Sequence, residues 1–111
     1  MARVFITSNR MRKDPVTREL KPTVDLRPAE QFGSLTAVFD HEMEPENSND
    51  FFKAKERLDD FDPFEDFILP SGSPLATLAT GLILGDKNIT EVQTLIWDRI
   101  HLKYILNVIE L

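Results

Sequence analysis

The chain contains no cysteine. That excludes disulfides, a thiol nucleophile and any cysteine-ligated zinc or iron–sulfur centre. Long hydrophobic runs are also missing: the longest strongly apolar stretch, Leu75 to Gly85, is about half of what a helix needs to span a bilayer. The opening residues, Met1-Ala2-Arg3-Val4-Phe5-Ile6-Thr7, turn polar at once, so no secretory apolar segment is expected. There is no Gly-x-Ser-x-Gly elbow, no phosphate-binding loop with its lysine, and no three-glycine dinucleotide fingerprint. Internal repeats and low-complexity tracts are absent as well. What remains is 111 residues with 41% hydrophobic and 29% charged side chains, the balance of one globular domain covering 1–111. Location in the cytoplasm is the expectation, with no membrane partner.

Charge is unevenly spread. Residues 1–27 carry a net +4, residues 28–66 a net −9, and the rest −1, for −6 overall. Such a chain is not expected to bind nucleic acid, whose affinity comes mostly from cations neutralising phosphates. The basic stretch also lacks interleaved aromatics on which bases could stack. Two readings of the asymmetry compete. The basic arm can lie across the acidic segment of the same molecule. Alternatively, the acidic residues Asp59, Asp60 and Asp62 can meet a basic surface on a partner.

Periodicity gives an element order. Arg3 to Thr7 is β-branched and aromatic and reads as a strand. Residues 10–27, fenced by Pro15, Pro22 and Pro28, show no period and read as an irregular excursion. Pro28 to Gly33 reads as one helical turn, and Ser34 to Asp40 as a second strand. Ser48 or Asn49 can cap a helix over about 50–60, which would bury Phe51, Ala54 and Leu58. Asp66 to Leu69 is a short strand. Ser73 and Pro74 then start a second helix ending near Leu84, with Gly85 as its stop. Glu91 to Trp97 and Tyr104 to Leu111 form a terminal antiparallel hairpin. The expected fold is α/β: a two-layer or three-layer sheet of about five strands, partly parallel, with two main helices. In the second helix, Leu75, Leu78, Ala79, Leu82 and Ile83 are expected to pack on the sheet. With no charge on its other side, self-association becomes a reasonable expectation.

Open α/β sheets bind ligands beyond the carboxyl ends of their strands. Here that edge would gather Ser8, Asn9 and Arg10, then Asp40 and His41, then Ser71, Gly72 and Ser73. Asp98 and Arg99 join them if the fourth strand is parallel. A strand-to-helix turn at Ser71-Gly72-Ser73 offers unpaired N–H groups and the positive end of a helix dipole, with Arg10 as counter-charge. Anion binding at Arg10, Ser71, Gly72 and Ser73 is one candidate function; an ordinary turn with a serine cap is the simpler reading. Asp40-His41-Glu42 with Glu44 has metal-ligating types but reads as a solvated loop, so neither a metal nor a cofactor is expected. The pairs Asp59-Asp60 and Glu65-Asp66 read as solubilising carboxylates rather than a proton-sharing dyad. No nucleophile stands with a base and an orienting acid, so no catalytic residue is assigned.

Three segments occur in order: Ala29-Glu30-Gln31-Phe32-Gly33-Ser34-Leu35, Asp66-Phe67-Ile68-Leu69-Pro70-Ser71-Gly72 and Thr94-Leu95-Ile96-Trp97-Asp98. With the first strand, they make the chain resemble a group of small α/β proteins of tailed bacteriophages for which no activity is established. The resemblance implies a phage setting, with the host cytoplasm as location, and supplies no catalytic residue. The leading expectation is a non-enzymatic accessory protein acting by protein–protein interaction or as a homo-oligomer. The alternatives are a small anion- or nucleotide-binding Rossmann-like domain using the turn at 71–73, and a minor virion component.

Overall fold

The computed structural model describes residues 2–9, 11–22 and 25–111. Its main sheet has five strands: β1 (Arg3–Ser8), β4 (Ser34–Phe39), β5 (Phe67–Leu69), β6 (Glu91–Asp98) and β7 (Lys103–Glu110). Their order across the sheet is β4-β1-β5-β6-β7. The first four run parallel, and β7 returns antiparallel to β6. This is the expected partly parallel α/β sheet closed by a C-terminal hairpin.

Parallel neighbours need crossovers, and two of these are helices: α1 (Ser48–Arg57) and α2 (Pro74–Asp86). Both pack on one face, around Phe5, Phe39, Leu58, Ile68 and Ile83. The other face holds Val4, Ile6, Leu69, Leu95 and Tyr104, covered by Leu26 and Ala29 at a short 3-10 helix (Arg27–Phe32). Alternation along β1 explains the split, because Val4 and Ile6 point one way and Phe5 and Thr7 the other. The covering helices are spread unevenly. They lie over β4 and β1; the 3-10 helix reaches β7 on the other face at Tyr104, the one buried residue of that strand, and the rest of β7 is exposed among the described residues.

Several local expectations are corrected. The stretch 10–27 is not wholly irregular: β2 (Met11–Lys13) and β3 (Leu20–Pro22) pair as a short antiparallel hairpin. Its turn is held by the Asp14 carboxylate, which accepts from the N–H groups of Val16 and Thr17. Strands of three residues are too short to show a period. The cap of α1 is Asn47, whose Oδ1 accepts from the N–H of Asn49 and Asp50. Helix α2 runs through Gly85 to Asp86, and the left-handed residue beyond it is Asn88.

The buried side of α2 also differs. Ala76, Ala79, Thr80, Ile83 and Leu84 are buried, while Leu75, Leu78 and Leu82 are 47%, 63% and 63% exposed. A helix apolar all round carries no directional signal, so volume decides instead. Ala76, Ala79 and Thr80 let the axis approach the sheet, and Thr80 satisfies its hydroxyl on the Ala76 carbonyl at 2.8 Å. Thr77 Oγ1 meets Thr7 Oγ1 of β1 at 3.0 Å, which fixes the helix's rotation.

Candidate functional site

The parallel strands bring Ser8, Phe39, Leu69 and Asp98 to one carboxyl edge. Strand order reverses at β1, so a crevice between the ends of β1 and β5 is where this topology places ligands. Ser8, Asn9, Ser71, Gly72 and Ser73 lie there, as the sequence led us to expect. Arg10 lies outside the described residues.

Much of this turn is committed to its own structure. Thr7 Oγ1 accepts from the Ser71 N–H at 2.9 Å and lies 3.0 Å from the Ser71 carbonyl. Ser73 Oγ caps α2 by accepting from the Ala76 N–H at 3.4 Å. Gly72 has φ +73°, and a Cβ there would sit 2.8 Å from the Ser8 Cβ. Glycine is therefore required by both conformation and close approach. Asn9 donates its N–H to the Phe39 carbonyl, and its Oδ1 is buried without a partner.

A cavity of about 460 Å³ opens beside this turn, beyond β5 and β6. Leu69, Pro70, Ser71, Ile96, Trp97 and Tyr104 line it, with Asp25 and Arg99 as its charged groups. Asp98 and Arg99 thus reach the carboxyl edge through a parallel β6. Trp97 and Tyr104 face each other across the hairpin, their rings edge-to-face at 5.0 Å. Burial, then the nearby Asp25 carboxylate, pushes the Tyr104 phenol above its ordinary pKa. Arg27 holds the Asp25 carboxyl below the usual carboxylate range through its side-chain bonds and then its N–H. Asp98 is likewise lowered, first by the His101 ring at 2.6 Å and then by the Ile100 N–H. The lining pairs no base with a nucleophile, so this cavity is equipped to hold a partly apolar group. Sequence reasoning missed Asp25, Trp97 and Tyr104 as its walls. The signal was the sole tryptophan and sole tyrosine placed across one hairpin.

At the opposite, amino edge, the acidic residues are engaged within the molecule. Asp60 binds Arg3 at 3.0 Å, Asp59 binds Lys87 at 3.2 Å, and Asp62 Oδ1 accepts from the Phe64 N–H. Arg3 holds the Asp60 carboxyl below its usual range. Asp66 is no surface carboxylate, which corrects the solubilising role expected for it: it is 2% exposed. It accepts from the Arg3 N–H, the Arg3 guanidinium and the Asp62 N–H. Of the basic arm, Arg3 reaches the acidic segment, while Lys21 and Arg27 pair locally with Asp14 and Asp25. At the carboxyl end of β4, Asp40 is held by Arg57 at 2.9 Å. Among the described residues no three metal-ligating side chains converge, and no helix is long and apolar enough to cross a membrane.

The second candidate surface is the uncovered end of the sheet. On β7, Ile105, Leu106, Val108 and Ile109 are 40–64% exposed, beside Ile96 on β6. On the helical wheel Leu75 lies opposite Thr77, and with Leu78 and Leu82 it stays exposed on α2.

One family model matches the chain, over residues 2–111, and its description is Phage Pam3 gp32-like protein. No curated protein and no solved structure matches it.

Proposed function

We propose that this chain, which belongs to the Phage Pam3 gp32-like family, is a non-enzymatic phage accessory protein that works by binding protein through the uncovered end of its sheet. The observation that carries this is the concentration of half-exposed aliphatics on the edge strand β7 and on β6 beside it. Ile96, Ile105 and Ile109 on one face and Leu106 and Val108 on the other make both sides of this edge apolar, and clustered apolar surface marks interaction sites where single exposed leucines do not. It supports the reading better than the acidic group does, because Asp59 and Asp60 already hold Lys87 and Arg3.

The test is site-specific photo-crosslinking in infected host cells. A photoreactive side chain at Ile105 should capture a protein, while the same group at the exposed Lys53 of α1 should not. Equal or no capture at both sites would remove the reading. Recovery of the crosslinked species in purified particles would make the chain a minor virion component instead of a cytoplasmic one.

The cavity at the carboxyl edge favours a second reading, a ligand-binding domain using Ser71, Gly72 and Ser73 with Arg10. A ligand at a hundred times its Kd adds about 2.7 kcal/mol of stability. Phosphate, sulfate or nucleotides that leave the unfolding midpoint unmoved would dismiss it, and a shift abolished by Ser73→Ala would support it.

A further inference from the structure

The partner of the uncovered edge follows from the backbone. In the β6–β7 hairpin the N–H of Leu111 donates to the carbonyl of Thr90 at 2.9 Å. These residues continue the register that pairs Glu91 with Glu110 and Thr94 with Asn107. Bonded and non-bonded pairs alternate along an antiparallel ladder. Ile105, Asn107 and Ile109 therefore turn their N–H and C=O groups towards β6. The Thr94 Oγ1 bond to the Asn107 carbonyl, at 2.8 Å, has the same direction. It follows that Tyr104, Leu106, Val108 and Glu110 present theirs to the open edge.

That edge has none of the usual protection against another strand. Strand β7 is eight residues long, has no proline, and pairs one-to-one with β6 without a bulge. Its charges, Lys103 and Glu110, are confined to its two ends. The other edge strand, β4, is crossed by Arg57, whose guanidinium donates to the carbonyls of Ala37 and Val38.

We propose that β7 pairs with β7 of a second copy, antiparallel about a two-fold axis at Asn107, joining two five-stranded sheets into one. This rests on the reading of the uncovered sheet as a protein contact and names its occupant. A two-fold axis perpendicular to the sheet keeps each face on its own side, so residues of the same parity oppose one another. Centred on Asn107, Ile105 faces Ile109, Leu106 faces Val108, Tyr104 faces Glu110, and Asn107 faces itself. Apolar side chains meet apolar ones at the centre of the pairing, and Lys103 falls opposite Leu111 only at its end. Centring on Leu106 instead sets Asn107 against Ile105 and Lys103 against Ile109. A parallel pairing would stack Lys103 on Lys103 and Glu110 on Glu110. Centring on Ile105 also matches side chains but pairs only residues 103–107 of β7, so the Asn107 register is the one that pairs most of the strand.

The absence of native cysteine makes the register directly testable. Asn107→Cys places two thiols across a non-hydrogen-bonded pair, with Cα atoms about 4.5 Å apart, within reach of a disulfide. Mild oxidation should convert this variant to a covalent dimer. Ile105→Cys alone should stay monomeric, and Ile105→Cys with Ile109→Cys should link. Linkage through Leu106→Cys but not Asn107→Cys would overturn the register. Sedimentation of the unmodified chain should show twice 12.8 kDa, and a monomer persisting at about 100 µM, well above the Kd of a specific complex, would overturn the dimer. A monomer whose Ile105 photo-crosslinks to a different protein in infected cells would discard the second copy and keep the contact surface. A monomer that crosslinks to nothing would discard both.

Discussion

Asp66 is the group on which the amino edge is built. Its carboxylate is 2% exposed and accepts from the Arg3 N–H at 3.0 Å, the Arg3 guanidinium at 3.0 Å and the Asp62 N–H at 2.9 Å. These bonds tie the first residue of β1 to the turn that enters β5. Replacing Asp66 with alanine removes every acceptor and leaves two N–H groups and a cation without it. Breaking a buried ion pair from one side costs about 3–5 kcal/mol. Arg3 is 28% exposed and can turn to water, so the lower end applies, about 3 kcal/mol. That is a large share of the roughly 5–15 kcal/mol that holds a domain of this kind. In thermal unfolding it lowers the midpoint by roughly 12 °C. The assay is urea denaturation followed by the fluorescence of Trp97, the sole tryptophan. Asp66→Asn keeps an acceptor and should fall between alanine and wild type. Asp60→Ala, at a side chain 76% exposed, should move the midpoint far less. An Asp66→Ala midpoint equal to that of Asp60→Ala would refute the idea that one buried carboxylate organises this edge.

Gly72→Ala should destabilise by about 2 kcal/mol, since a positive φ and a Cβ 2.8 Å from that of Ser8 act together; Ser8→Gly should restore part of the loss in a double-mutant cycle by urea denaturation. Gly81→Ala should do the reverse, because nothing lies within 4 Å of its Cβ position on the helix, and a rise of about 0.5–1 kcal/mol is expected in the same assay. The Asp60 and Asp98 carboxyls are lowered in the folded chain. Their contribution is complete above the ordinary aspartate value near ~4 and is lost as pH falls through the lowered values, so urea midpoints should drop on acidification. The Tyr104 phenol is raised. Its contribution is intact below the ordinary value near ~10 and is lost as pH rises through the folded value. Phenolate absorbance of this sole tyrosine should therefore appear late, and together with alkaline unfolding.

The main architecture was legible because its signals are local and regular. Val4, Phe5 and Ile6 form a β-branched and aromatic run, Ser73-Pro74 opens α2, and two apolar runs flank the turn from Asp98 to Lys103. That Ser71, Gly72 and Ser73 lie on the carboxyl edge followed from strands alternating with helices, but Asp98 and Arg99 depended on a parallel fourth strand, which the sequence left open and the β5–β6 pairing supplies. The rotation of α2 could not, because a helix apolar on every side leaves the choice to side-chain volume and to the Thr7–Thr77 contact, which lies between residues distant in sequence. Asp66 was unreadable for the same kind of reason. A carboxylate next to Glu65 in an acidic segment looks solvated until Arg3, far off in the chain, is brought to it. Of the cavity walls, Trp97 and Tyr104 could have been paired from the hairpin that carries them, whereas Asp25 comes from a distant segment and leaves no spacing to detect.

The contact role of β7 is tested most directly by amide hydrogen exchange along that strand at low and high chain concentration. The amides of Ile105, Asn107 and Ile109, bonded to β6, should be protected at every concentration. Those of Tyr104, Leu106, Val108 and Glu110 should exchange fast when dilute and become protected as the chain is concentrated. Exchange at these outward amides that stays equally fast at all concentrations would contradict the pairing of β7 with a second copy.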